Sequence, residues 1–311
     1  MDYLEYFGYS IPRLSLGTVA LGLDYGIANP AGRPGKEEAF AVLATALDAG
    51  ISCWDTARTY GDAEELIGEF LQSRTAPVTL VTKFKIGSES LDDSKVAIDA
   101  AVCSVRASLK ALRVPSVPLA LLHMERHLPI VRVRKLLLLI LNELKQMGLI
   151  MRGGISVDHP DEAVYFADEP VIDAMQVPIN IFDQRLIQSG ALAQMERAGK
   201  LVFARSVFLQ GLFFVNPDHL AGNLQQAAEP LRQLGEIARG ESVSVAQLAF
   251  SFVRDLPGIS SIIFGAERSS QVNDTMGLYA GKAISDEGRD RLRTLYAAMP
   301  EEVITPAMWT N

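Results

Sequence analysis

Eight short runs rich in β-branched and apolar residues recur along the chain, each followed by a longer segment with helical periodicity. The runs fall at residues 14–21, 51–55, 78–82, 117–122, 150–156, 174–177, 201–206 and 259–264. The helical segments fall at 37–49, 62–72, 96–112, 133–147, 160–166, 190–198, 225–239 and 269–279. Gly50 supplies a stop signal after the first helix, and Asp62-x-x-Glu65 opens the second like a capping box. Repeated strand–helix units imply a parallel sheet, because a parallel connection must cross back over the sheet. Eight units in 311 residues, with no linker or low-complexity stretch, predict one α/β domain spanning 1–311, a closed (β/α)8 TIM barrel. Additional C-terminal helices are expected at 245–255 and 286–299. The doubly wound alternative would place a glycine-rich phosphate turn after an early strand. Here the first strand is followed by Gly22, Gly26 and Gly32, and no Gly-x-Gly-x-x-Gly occurs in the chain.

Composition narrows the function classes. A formal net charge of −8 argues against nucleic-acid partners, which need a basic surface to displace counterions. The longest apolar run, 136–141, is far short of the roughly 18–20 residues that span a bilayer. Residues 1–10 carry acids and aromatics in place of a basic leader. A cytoplasmic protein without a membrane partner is expected. Cys53 and Cys103 fit no metal-ligand spacing and no disulfide framework, so no metal is expected and both read as buried free thiols.

Barrel enzymes carry their chemistry at the C-terminal ends of the strands. Asp55 ends the second run, Tyr60 lies in the loop after it, Lys83 ends the third and His123 ends the fourth. A barrel brings all four to one rim, although 68 residues separate Asp55 from His123. A tyrosine hydroxyl is a weak acid, with a pKa of about 10 in water. A neighbouring ammonium makes it a better proton donor, and Lys83 is placed to supply that charge. Asp55 would hold Lys83 charged, and His123 would add a donor near a carbonyl oxygen that becomes negative. Each residue alone has a plainer reading: a helix cap, a turn residue, a solvated rim charge, a satisfied core histidine. Their joint placement at successive strand ends carries the inference.

The run Trp54-Asp55-Thr56-Ala57-Arg58-Thr59-Tyr60-Gly61, followed by Glu65, Gly68 and Phe70, resembles the signature of the aldo/keto reductases. The resemblance extends along nearly the whole chain. It includes Leu16-Gly17-Thr18, Val81-Thr82-Lys83, Leu121-Leu122-His123, Gly153 to Val157, Met175-Gln176-Val177, Arg205 to Gly211, and Gly265 to Asp274. It implies an NAD(P)H bound extended across the barrel mouth. It also implies direct hydride transfer to an aldehyde or ketone, with Tyr60 as general acid. By position, Asp55, Ser156 and Gln176 would contact the nicotinamide end, with Gly17, Thr18 and Arg205 nearby. Ser206, Phe208, Leu209 and Gln210 would approach the pyrophosphate, and Gly265, Arg268, Gln271 and Asp274 the adenosine end.

Three departures stand out. Val157 takes the place of the family's usual Asn, removing one bond to the carboxamide. Arg205 stands where many members stack a Tyr on the nicotinamide, although a guanidinium can also stack on a planar ring. The last loop reads Gly265-Ala266-Glu267-Arg268 and lacks the common Lys-Ser pair. Arg268 could pair with a 2′-phosphate, whereas Glu267 could repel it or accept the 2′-hydroxyl of NAD. Family habit favours NADP, with NAD possible. Two alternatives accompany the reductase reading: an NAD-dependent sugar dehydrogenase, and a non-enzymatic nicotinamide-binding regulatory subunit. Substrate identity is expected to reside in the loop 23–33, with Asp24 and Tyr25, and in the tail 300–311, which covers the mouth or packs beside it. Arg126 and His127 either line the pocket or decorate the loop, and decoration is the favoured reading.

Overall fold

The computed structural model describes residues 1–74 and 76–310. An antiparallel hairpin comes first, β1 (Tyr3–Tyr6) and β2 (Tyr9–Pro12). Eight strands follow: β3 (Leu14–Gly17), β4 (Cys53–Asp55), β5 (Thr79–Phe84), β6 (Val117–His123), β7 (Ile150–Ser156), β8 (Ala174–Pro178), β9 (Leu201–Arg205) and β10 (Ser261–Gly265). They form a closed barrel in that order, every pair parallel, with β10 returning to β3. The expected barrel is the observed one.

The pleat sorts the strand residues into two cores, because successive side chains point to opposite faces. Trp54, Leu80, Leu122, Ile155, Met175 and Val202 belong to the large cluster shared with the helices. Cys53, Val81, Leu121, Ala174, Phe203 and Ile263 form a separate apolar cluster in the lumen. Tyr6, Tyr9 and Ile11 of the hairpin pack on that second cluster and close its floor. Tyr6 Oη donates to the Asp173 carbonyl at 2.6 Å, at the N-terminal edge of β8.

Two residues further along each strand, the same inward face continues at Asp55, Lys83, His123, Gln176 and Arg205. An apolar layer therefore supports a polar one at the barrel mouth. The helices close the outside by the same pattern logic. Lys36–Asp48 buries Ala39, Val42, Leu43 and Ala46, one face of a 3.6-residue period, and the chain then reverses at Gly50, φ +80°.

Several boundaries differ from the sequence reading. The first strand stops at Gly17, because a short helix, Val19–Gly22, turns the chain across the mouth. The third extends through Lys83 to Phe84, and the last runs Ser261–Gly265. The helix expected at 225–239 begins as a 3-10 turn, Gly222–Ala227, before the α-helix Ala228–Gly240. The appended helices are Val245–Arg254 and Asp286–Leu295, with a further turn at Glu301–Ile304. Asp62 makes no capping bond; it pairs with Arg33 at 2.9 Å. Cys53 is buried as expected, but Cys103 is exposed, on the outward side of the helix Ser94–Leu112 between the buried Val102 and Val105. Among the described residues no helix is long and apolar enough to cross a membrane.

Candidate active site

Lys83 Nζ donates to both Asp55 oxygens, each at 2.7 Å, and to the Thr56 carbonyl at 3.0 Å. It lies 3.3 Å from Tyr60 Oη and 4.8 Å from the centre of the Tyr60 ring. Burial pulls the Lys83 pKa down, but the Asp55 carboxylate and the Tyr60 hydroxyl more than offset it, so the net direction is upward. Asp55 is held from the other side. Gln176 Nε2 donates to Asp55 Oδ1 at 2.7 Å, and Ser156 Oγ donates to Gln176 Oε1 at 3.0 Å. The register explains this chain, since Ser156 pairs with both His123 and Gln176 across adjacent strands.

The loop carrying Tyr60 is pinned at two places. A Cβ on Gly22 would fall 1.9 Å from the Tyr60 carbonyl oxygen, and Gly61 turns the chain at φ +57°. Only glycine fits either position without moving the backbone. Below the loop, the fully buried Glu64 accepts from Thr82 Oγ1 at 2.6 Å and from Arg58 at 2.7 Å. Thr82 precedes Lys83 on β5, so the loop and the lysine are referred to one strand.

His123 stands across the mouth. Burial, then the charges of Lys83 and Arg205, push its pKa down to about 4, so the ring is neutral at pH 7. Its Nδ1 is buried without a hydrogen-bond partner among the described residues. An orphaned polar atom at a rim is a place for a ligand. Tyr25, from the loop after the Val19–Gly22 helix, reaches the same groove, and burial raises its pKa.

A groove of about 640 Å³ runs from this cluster towards the helix Ser269–Ala280. Of the residues expected to hold a cofactor, Gly17, Asp55, Gln176, Arg205, Ser206 and Phe208 line it at one end. Gln210, Gly265, Arg268, Gln271 and Asp274 continue it towards the other. Three expected residues lie behind the wall. Thr18 Oγ1 bonds the Asp55 carbonyl at 3.0 Å, Ser156 supports Gln176, and Leu209 is buried in the outer core. Ser206, Leu209 and Gln210 are left-handed, at φ +63°, +46° and +51°, and Gly211 follows at +91°. Non-glycine residues of this kind cost of order 1–3 kcal/mol each and gather where a loop must meet a ligand. Ser206 is anchored by Asn180 Nδ2 at 3.1 Å on its carbonyl. A long groove edged with small residues, a few directed polar groups and a strained loop fits an extended dinucleotide.

The departures noted in the sequence take physical form here. Val157 is buried in the apolar core, and its carbonyl accepts from Arg205 at 3.1 Å. Arg205 lines the groove with its guanidinium paired to Asp158 and near Ser206 Oγ. Arg126 is more than loop decoration. It lies 3.6 Å from Asp158 and donates to Thr305 Oγ1 at 3.2 Å, tying the tail to the rim. His127 is exposed beside Glu125. The tail packs beside the mouth, with Thr310 and Asn223 exchanging bonds at 3.1 and 3.2 Å. Sequence reasoning missed Arg126 because its partners lie 32 and 179 positions away.

A closed α/β barrel with a buried lysine–carboxylate pair under a rim tyrosine, opening on a long groove, has the build of a barrel oxidoreductase. Residues 13–297 match the model of the aldo/keto reductase family, and the chain belongs to that family. It is 25% identical over 303 residues to an uncharacterised oxidoreductase, YqkF, of Bacillus subtilis, covering 89% of this chain and 90% of that one. It is 24% identical over 299 residues to a probable voltage-gated potassium channel subunit beta of Oryza sativa subsp. japonica, covering 85% and 89%. The glycerol dehydrogenase AKR11B4 of Gluconobacter oxydans shares the fold at a TM-score of 0.73, with 23% identity and 95% of each chain covered.

Proposed function

We propose that this protein reduces an aldehyde or ketone to an alcohol, using a nicotinamide dinucleotide held along the groove. One observation carries the reading: Lys83 Nζ, bound to both Asp55 oxygens at 2.7 Å, also lies 3.3 Å from Tyr60 Oη. A nicotinamide held at the Asp55 and Gln176 end of the groove would supply a hydride for the carbonyl carbon. Tyr60 gives its proton to the carbonyl oxygen, so the C=O bond becomes CH–OH. The Lys83 ammonium stabilises the negative oxygen left on Tyr60, which solvent then reprotonates. Asp55 keeps Lys83 charged in a site from which water is excluded. Neutral His123 donates an N–H towards the substrate oxygen as its charge develops. Gln176, with Ser156 behind it, holds Asp55 and would contact a nicotinamide at this end of the groove.

The reverse reaction, oxidation of an alcohol, uses the same groups with the Tyr60 oxygen as base. The glycerol dehydrogenase likeness and Glu267 in the groove keep that direction in view.

The test is oxidation of NADH or NADPH with a panel of aldehydes and ketones, repeated with Tyr60→Phe. Removing a general acid is expected to cost roughly 10²–10⁴ in kcat, with cofactor binding kept. Equal turnover by the variant would take the acid role from Tyr60. Turnover by neither protein on any carbonyl would favour a regulatory subunit.

A further inference from the structure

Next to the far end of the groove, which Glu267, Arg268 and Gln271 line, a carboxylate arrives from a distant part of the chain. Glu38 Oε1 accepts the Ser269 N–H at 2.7 Å, across 231 residues. Ser269 opens the helix Ser269–Ala280, and Glu38 lies in the first turn of Lys36–Asp48. One carboxylate thus faces the first turns of two helices. Both helix starts present backbone N–H groups and positive dipole ends to it. Beside it, Gln271 Oε1 accepts the Glu267 N–H at 2.7 Å and the Arg268 N–H at 3.0 Å. Three successive backbone donors at this helix start are therefore satisfied by side chains of the protein itself. Glu267 and Asp274 line the groove here and add negative charge, opposed by Arg268, which is exposed and screened by solvent.

The geometry points to Glu38 and Glu267 as specificity residues that select a dinucleotide with a free adenosine 2′-hydroxyl, NAD(H), over its 2′-phosphorylated counterpart. A phosphate monoester carries about −1.5 to −2 charges at pH 7. At this helix start it would meet carboxylates, with the backbone donors that usually receive a phosphate already taken. A ribose hydroxyl donates to a carboxylate and loses nothing. The inference rests on the reading that a nicotinamide dinucleotide occupies the groove with its adenosine end at this helix. It departs from the NADP that family habit suggests.

The experiment is calorimetric titration of the full chain with NADH and NADPH, for the wild type, E38Q, E267Q and the E38Q/E267Q double variant. The wild type is expected to bind NADH at least about tenfold more tightly than NADPH. Each substitution narrows the ratio of the two constants, and the double variant narrows it most. The ratio is the readout, because a merely loosened groove weakens both ligands alike. Wild-type binding of NADPH as tight as that of NADH, or a ratio unchanged in the double variant, overturns the inference and leaves the groove reading standing. Binding of neither dinucleotide by the wild type removes the groove reading itself.

Discussion

Lys83 Nζ stands 2.7 Å from each oxygen of Asp55, and the two side chains are 1% and 5% exposed. A charge pair sealed in this way is sustained by mutual neutralisation and by its hydrogen bonds. Thr56 and Tyr60 take the remaining contacts of the ammonium, and Gln176 takes one oxygen of the carboxylate.

Lys83→Met is therefore expected to destabilise the protein by about 3–5 kcal/mol, because it leaves Asp55 charged and unpaired. Asp55→Asn combined with Lys83→Met should cost clearly less than the two single changes added together. Urea unfolding of the four proteins measures this. Simple additivity would mean that the pair is not coupled.

Glu64 tests whether the loop of Tyr60 must be held from below. It is fully buried and bonded to Thr82 and Arg58. Glu64→Ala leaves the Arg58 charge and the Thr82 hydroxyl without this partner, at an expected cost of about 2–4 kcal/mol. Because the loop loosens while Tyr60 itself remains, kcat should fall more than cofactor affinity does. A variant that is less stable but turns over at the wild-type rate would confine Glu64 to a structural role.

His123 makes stability depend on acid. Its pKa is about 4 in the folded protein against 6.5 for the free side chain. Between those values the unfolded chain binds a proton that the folded protein does not, so lowering the pH favours unfolding. This contribution is fully present above about pH 6.5 and is lost as the pH falls towards 4, amounting to about 3 kcal/mol. Urea midpoints at pH 7 and pH 4.5 should therefore differ less for His123→Gln than for the wild type. Equal differences would place His123 in a more hydrated setting.

The barrel was legible because both of its signals are local. Strand runs and helical periods repeat at the scale of single elements, and eight units without a linker leave little room for another closure. The rim placement of Asp55, Lys83 and His123 followed from the same order, since the strand ends of a barrel share one face. Boundaries were less legible. The first run looked like a strand to residue 21, yet Val19–Gly22 is helical: Leu21 packs into the outer core and Val19 lines the groove, so the alternation of a strand ends at Gly17. Cys103 misled because free cysteines are usually buried, and its position on the helix faces water.

By itself, then, the sequence determined the kind of fold, the four candidate reacting side chains at its rim and the order in which they appear. These depend on near-neighbour patterns and on a topology with one closure. Only the tertiary structure decided which partners hold those side chains. Gln176 meets Asp55 across 121 residues, Arg205 meets Asp158 across 47, and Glu38 reaches the start of a helix 231 residues away. No local period encodes such pairs. The first two arise because the ends of β4, β7, β8 and β9 share one mouth. The third arises because closure brings the first and last units side by side, with β10 hydrogen-bonded to β3 and the helix Lys36–Asp48 packed against Ser269–Ala280.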